Sequence, residues 1–69
     1  NKEGTIVIAI WVGREGRVKR AQVGKGTNIS DTRMQQTAVK AALGSGFAPD
    51  KKAAELQKGT ITYNFILRQ

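Results

Sequence analysis

The chain has 69 residues, enough for one domain with a modest core, since roughly 60% of the unfolded surface can be buried at this size. It holds no cysteine and no histidine, which excludes disulfides, thiolate or imidazole metal sites and most nucleophile–base pairs. Twelve Lys and Arg against five acids give a net charge of +7, a balance that favours anionic partners and equally serves solubility.

A first strand is expected over residues 4–12. From Ile6 to Val12 every residue is apolar, the pattern of a strand covered on both faces. Gly13-Arg14-Glu15-Gly16 then reads as a tight hairpin connection. A second strand is expected over 17–23, where Val18 falls on one face by strict alternation and Ala21 and Val23 on the other. Either a β-bulge near Lys19 and Arg20 brings the three together, or only Ala21 and Val23 face the core. Residues 24–28 are loop, with Gly24, Gly26 and Asn28 as turn residues.

Ser30 and Asp31 are both suitable N-caps for a helix over 32–43, and Asp31 also suits the positive end of the helix dipole. Met34, Ala38, Ala41 and Ala42 recur at helical spacing as its buried stripe, widened by Val39 and Leu43. Gly44 ends the helix, and Phe47-Ala48-Pro49 leads away from it. The charged, alanine-rich stretch 50–58 is expected to be loop with a short turn rather than helix. A third strand over 60–67 alternates strictly: Ile61, Tyr63, Phe65 and Leu67 face one way, and Thr60, Thr62, Asn64 and Ile66 the other.

The expected fold is α+β, in the order β-β-α-β, forming a single domain over 1–69. A right-handed crossover over the first strand places the third beside it, giving a three-stranded antiparallel sheet of order 2-1-3 with the helix on one face. Ile6, Ile8 and Ile10 then share the core with Met34, Ala38, Ala41, Ala42, Ile61, Tyr63, Phe65 and Leu67. The third strand becomes an open edge, whose unpaired N–H and C=O groups another chain can join.

Enzymatic chemistry is not expected. Glu3, Glu15, Asp31, Asp50 and Glu55 are not spaced to pair on one structural face, and neither glycine-rich turn has the spacing of a phosphate-binding loop. No catalytic residue, metal or cofactor is therefore assigned. Arg14, Arg17, Lys19, Arg20 and Lys25 concentrate on the hairpin, where a polyanion could bind, but a solvated basic face is the favoured reading over a nucleic-acid site. Trp11 falls on the face away from the helix, either exposed or, as favoured, covered by the 24–29 loop. The absence of an initiator Met leads us to expect a piece of a longer protein, and no run of about 18 apolar residues is present.

The hairpin Gly-Thr-Ile-Val-Ile-Ala-Ile-Trp-Val-Gly-Arg-Glu-Gly-Arg-Val, the Ala-Val-Lys-Ala-Ala-Leu helix, Phe47-Ala48-Pro49 and the closing Gly-Thr-Ile-Thr-Tyr-Asn-Phe-Ile-Leu resemble the C-terminal domain of TonB-type energy transducers. The resemblance spans nearly the whole chain, about residues 4–67. It implies a periplasmic domain anchored to the inner membrane by an N-terminal helix outside this sequence, which would join an ExbB/ExbD motor. It also implies a partner: the TonB box, a short extended peptide of TonB-dependent outer-membrane receptors, added to the sheet beside the last strand. The peptide site would then be Thr60, Ile61, Thr62, Tyr63, Asn64, Phe65, Ile66 and Leu67, with Phe47 and Pro49 as an additional contact. Phe47 stands where the family commonly has Tyr, and 50–58 is longer than usual. The same edge could pair with its twin in a homodimer. A TolA-like periplasmic interaction domain and a basic nucleic-acid-binding module are the alternatives.

Overall fold

The computed structural model describes residues 2–67, with side chains over 3–66. Its elements are β1 (Lys2–Gly13), β2 (Val18–Val23), α1 (Thr32–Leu43) and β3 (Leu56–Leu67). The three strands form one antiparallel sheet of order β2-β1-β3, with α1 on one face, as the sequence pattern requires.

The core lies between α1 and the inward face of β1. Ile6 and Ile8 are fully enclosed, and Ile10, Val18, Ile29, Ala38 and Ala42 are buried with them. A bulge settles the ambiguity in β2: Trp11 pairs with Arg20 but Val12 with Val18, so Lys19 is the extra residue. It brings Val18 onto the face that Ala21 and Val23 share opposite Ile10 and Ile8. Asp31 is the N-cap, its carboxylate accepting from the Arg33 N–H at 2.9 Å and the Met34 N–H at 3.4 Å. Ile29 was not expected in the core; its carbonyl accepts from Gln35 Nε2 at 2.7 Å, which ties the approach to the helix inward.

Three expectations are corrected. Ala41 and Leu43 are exposed, not buried. The covered stripe runs through Met34, Gln35, Ala38, Val39 and Ala42, and at about 100° per residue Ala41 lies roughly a quarter turn from its centre. Ile61, Tyr63 and Phe65 are only half-buried, because α1 packs over β2 and β1 and leaves the β3 side of the sheet thinly covered. Leu67 was assigned to the same face, but its side chain lies outside the described residues. The stretch 50–58 is divided: a turn closes with the Ala53 N–H on the Asp50 carbonyl at 3.1 Å, and Leu56, Gln57 and Lys58 belong to β3, opposite Gly13, Val12 and Trp11.

This off-centre packing sets the order of mutational costs. Ile8→Ala should cost about 2–5 kcal/mol, while Phe65→Ala, despite its larger side chain, should cost less. Urea unfolding of both variants checks this, and a larger loss for Phe65→Ala would place the core under β3 instead.

Candidate functional site

The backbone groups on the free edge of β3 follow from how β1 is paired. Toward β2, β1 uses its odd-numbered residues. The Val7 carbonyl accepts from the Gly24 N–H at 2.8 Å, the Thr5 carbonyl from the Asn28 N–H at 2.9 Å, and the Gly13 N–H donates to the Arg17 carbonyl at 2.9 Å. Loop side chains complete the row: Asn28 Oδ1 accepts from the Thr5 N–H at 2.7 Å and Thr27 Oγ1 from the Val7 N–H at 2.9 Å. Along a strand these groups alternate in direction, so the even residues of β1 turn toward β3. There Ile6 faces Tyr63, Ile8 faces Ile61 and Ile10 faces Gly59.

By the same alternation Lys58, Thr60, Thr62, Asn64 and Ile66 direct their N–H and C=O groups outward. Among the described residues, no backbone hydrogen bond from another segment reaches those of Lys58, Thr60, Thr62 or Asn64. The β1–β3 register also runs unbroken along the strand. Edge strands are normally blunted by bulges, proline, charge or shortness. The β2 edge has only six residues and carries the bulge with Lys19 and Arg20. The β3 edge has twelve residues, no proline and, between Leu56 and Ile66, one charged side chain, Lys58.

The residues assigned to the peptide site divide between two faces. Thr60, Thr62, Asn64 and Ile66 are exposed on the face away from α1, where Asn64 Oδ1 accepts from Thr5 Oγ1 at 3.2 Å. Ile61, Tyr63 and Phe65 stand on the helix face. The 44–55 loop is held at the far end of the sheet by the hairpin. The Phe47 N–H donates to the Gly16 carbonyl at 2.9 Å, the Asp50 N–H to the Arg14 carbonyl at 2.8 Å, and Arg14 Nε to the Ala53 carbonyl at 2.9 Å. Gly16 has φ +87°, and a Cβ there would fall 2.0 Å from the Phe47 oxygen, so this close approach needs glycine. Phe47 is 46% exposed and shares a hollow with Lys58, Gly59 and Thr60. Pro49 is exposed and does not line that hollow. Lys58 and Gly59 lie outside the segment assigned from sequence; the charge of 50–58 hid the start of β3.

Trp11 is half-buried on the face away from α1, with the Arg20 guanidinium 4.9 Å and the Lys58 ammonium 5.4 Å from its ring centroid. These two cations cover it, whereas the 24–28 loop bonds to Thr5 and Val7 further along β1. Several of the hairpin cations have partners within the chain: Arg14 on Ala53, Arg20 on Gln22 and Trp11, and Lys19 on Glu15 at 2.6 Å. The Lys19 contact holds the Glu15 carboxyl below its ordinary range, so any stabilisation from this exposed pair is fully present above that range and is lost as the pH falls below it through the lowered folded-state value.

Among the described residues, no group of three or more His, Cys, Asp and Glu could hold a metal ion, and no helix is long and apolar enough to cross a membrane. No family model, curated protein or solved structure matches the chain.

The alternation of N–H directions is testable by proline substitution. Thr62→Pro removes an outward N–H that the fold does not use, and should shift the melting temperature by only a few degrees. Tyr63→Pro removes an N–H bonded to β1 and should cost about 3 kcal/mol or more. Thermal melts that rank the two variants the other way would reverse the assignment of the edge.

Proposed function

We propose that this domain captures an extended peptide by adding it as a fourth strand beside β3, and that it does so as the C-terminal domain of a TonB-type energy transducer. The observation that carries the reading is the long, unguarded edge at which Lys58, Thr60, Thr62 and Asn64 present unpaired backbone groups. The β-β-α-β order and the 2-1-3 sheet are those the residue pattern predicts, and they provide the open edge on which the reading depends. In this reading the peptide is the TonB box of an outer-membrane receptor. The domain works in the periplasm, and an inner-membrane anchor and ExbB/ExbD supply the pull through sequence upstream of this domain.

The energetics suit such a task. Each intramolecular-type hydrogen bond contributes about 0.5–1.5 kcal/mol net. Four to six of them, set against an association cost of at least about 4 kcal/mol, give a weak and reversible grip. Because the contacts are backbone to backbone, one domain can serve partners of differing sequence. An added strand also places alternate side chains on the two faces, so it meets the half-buried Ile61, Tyr63 and Phe65 on one side and Thr60, Thr62 and Asn64 on the other.

One observation favours a second reading. Trp11 between Arg20 and Lys58, on a sheet face without a helix, is an aromatic and cationic surface of the kind that binds single-stranded nucleic acid. The pairing of the hairpin cations within the chain weighs against it.

An NMR titration with a synthetic box peptide separates the two. Strand addition predicts the largest amide shifts at Lys58, Thr60, Thr62 and Asn64, little loss with Thr62→Ala, loss with Thr62→Pro, and a shallow salt dependence. Largest shifts around Trp11 and Arg14–Arg20, with a steep salt slope for an oligonucleotide, would overturn strand addition in favour of the polyanion reading.

A further inference from the structure

We propose that the hollow beside Gly59 is an anchor pocket for one aromatic side chain of the peptide that joins β3, and that this anchor sets the peptide's register. The inference deepens the strand-addition reading and rests on it. A peptide held by backbone bonds alone can slip by two residues and keep both its bonds and its faces. A uniform edge therefore needs a landmark, and β3 has one discontinuity: Gly59 is its only residue without a side chain.

Nothing inside the chain requires glycine at this position. Its backbone is not in the left-handed region, which among the described glycines holds Gly16 and Gly26. A Cβ on Gly59 would meet Ile10 Cγ1 at 3.8 Å, an ordinary contact. Glycine in the interior of a strand weakens it, and commonly marks a place where a ligand or another backbone comes close. What its bareness provides here is space. A hollow of about 230 Å³ opens on the helix face, to which the sheet contributes Ile10, Val12 and Gly59 and the loop contributes Phe47, Ala48 and Ala53. A dry apolar cavity of about 150 Å³ accepts benzene, so a phenyl ring fits this one.

The position of the hollow links it to the edge. Ala21, Ile10 and Gly59 form one row across the three strands, and the next place in the row belongs to the incoming strand. Its side chain there stands on the helix face. Because Gly59 turns its own N–H and C=O toward β1, an antiparallel addition makes this a non-hydrogen-bonded pair, the kind in which side chains lie closest, with Cα atoms about 4.5 Å apart. No side chain separates it from Ile10. An aromatic laid over a cross-strand glycine is a known means of stabilising a sheet, and this sheet already pairs Phe65 with Gly4. The exposed Phe47 ring offers the incoming aromatic an edge or face to pack on.

The test uses two synthetic ten-residue peptides of alternating Val and Thr, identical except that one central Val is Phe in the first and Ala in the second. Both are titrated by NMR into the domain and into Gly59→Val, with Ala48→Leu as a second way to fill the hollow and thermal melts to establish that each variant is folded. The Phe peptide should bind at least tenfold more tightly than its Ala twin, with contacts from its ring to the Ile10 methyls. Either filling variant should abolish that advantage, so that the Phe peptide and its Ala twin bind each variant equally. Equal binding of the two peptides, with shifts at Thr60, Thr62 and Asn64, overturns the anchor and leaves strand addition standing. Absence of shifts along β3 with either peptide overturns both.

Discussion

The strand β1 is hydrogen-bonded along both of its edges, and that constraint decides most of what surrounds it. A buried strand must find a partner for every N–H and C=O it carries. On one side β3 supplies them along its whole length. On the other, β2 is only half as long, and the 24–28 loop continues the row with the Gly24 and Asn28 amides and the Thr27 and Asn28 side chains. The loop that leads to the helix is thus a backbone partner for Thr5 and Val7, which is why it hugs β1. Ile6 and Ile8 can be enclosed because the polar backbone beneath them is satisfied on both sides.

Satisfying the middle strand leaves the deficit at the rim. With β1 saturated, the unmet groups of the sheet are those on the outer edges of β2 and β3. The short, bulged and basic β2 discourages company, while the long regular β3 does not. The helix repeats this asymmetry. By settling over β2 and β1 it leaves Ile61, Tyr63 and Phe65 half-covered, so the face beside the open edge is also the less finished face of the core. A strand added there would both pair backbone groups and cover apolar surface, and the two gains fall on the same residues.

Much of this was legible in the residues. The apolar run of β1 marked it as central, and the alternation from Thr60 onward marked β3 as the rim. The slip between Val18 and Ala21 left a bulge as one of two readings, and only the pairing decides for it and shows that Lys19 is the inserted residue. Other features depend on distances that no local pattern carries. Ala41 belongs to the apolar face by spacing, yet the helix rolls toward Ala42 because it packs over β2. Leu56, Gln57 and Lys58 read as loop because they adjoin charged residues, and only the length of β1 draws them into the sheet. Trp11 owes its cover to Arg20 and Lys58, which meet it across two strand pairings. Gly59 adjoins the expected third strand without belonging to it, and only the register shows it inside β3, opposite Ile10.

The direction of the strands has a mechanical consequence. Twelve strand residues span roughly 36 Å, and the molecule measures 46 × 18 × 16 Å, so β1 and β3 can lie only along its long axis. Lys2 is opposite Leu67, which puts both ends of the described chain at the same end of the sheet. Tension applied there along the axis, against a load on the far end of an added fourth strand, would strain all the rungs between that strand and β3 together, in shear. Tension across the axis opens them one after another, as a zipper opens. In the proposed complex the same few weak bonds would hold against a lengthwise load and yield to a sideways one, so the orientation of a pull, rather than its size alone, would decide whether an added strand is kept or let go.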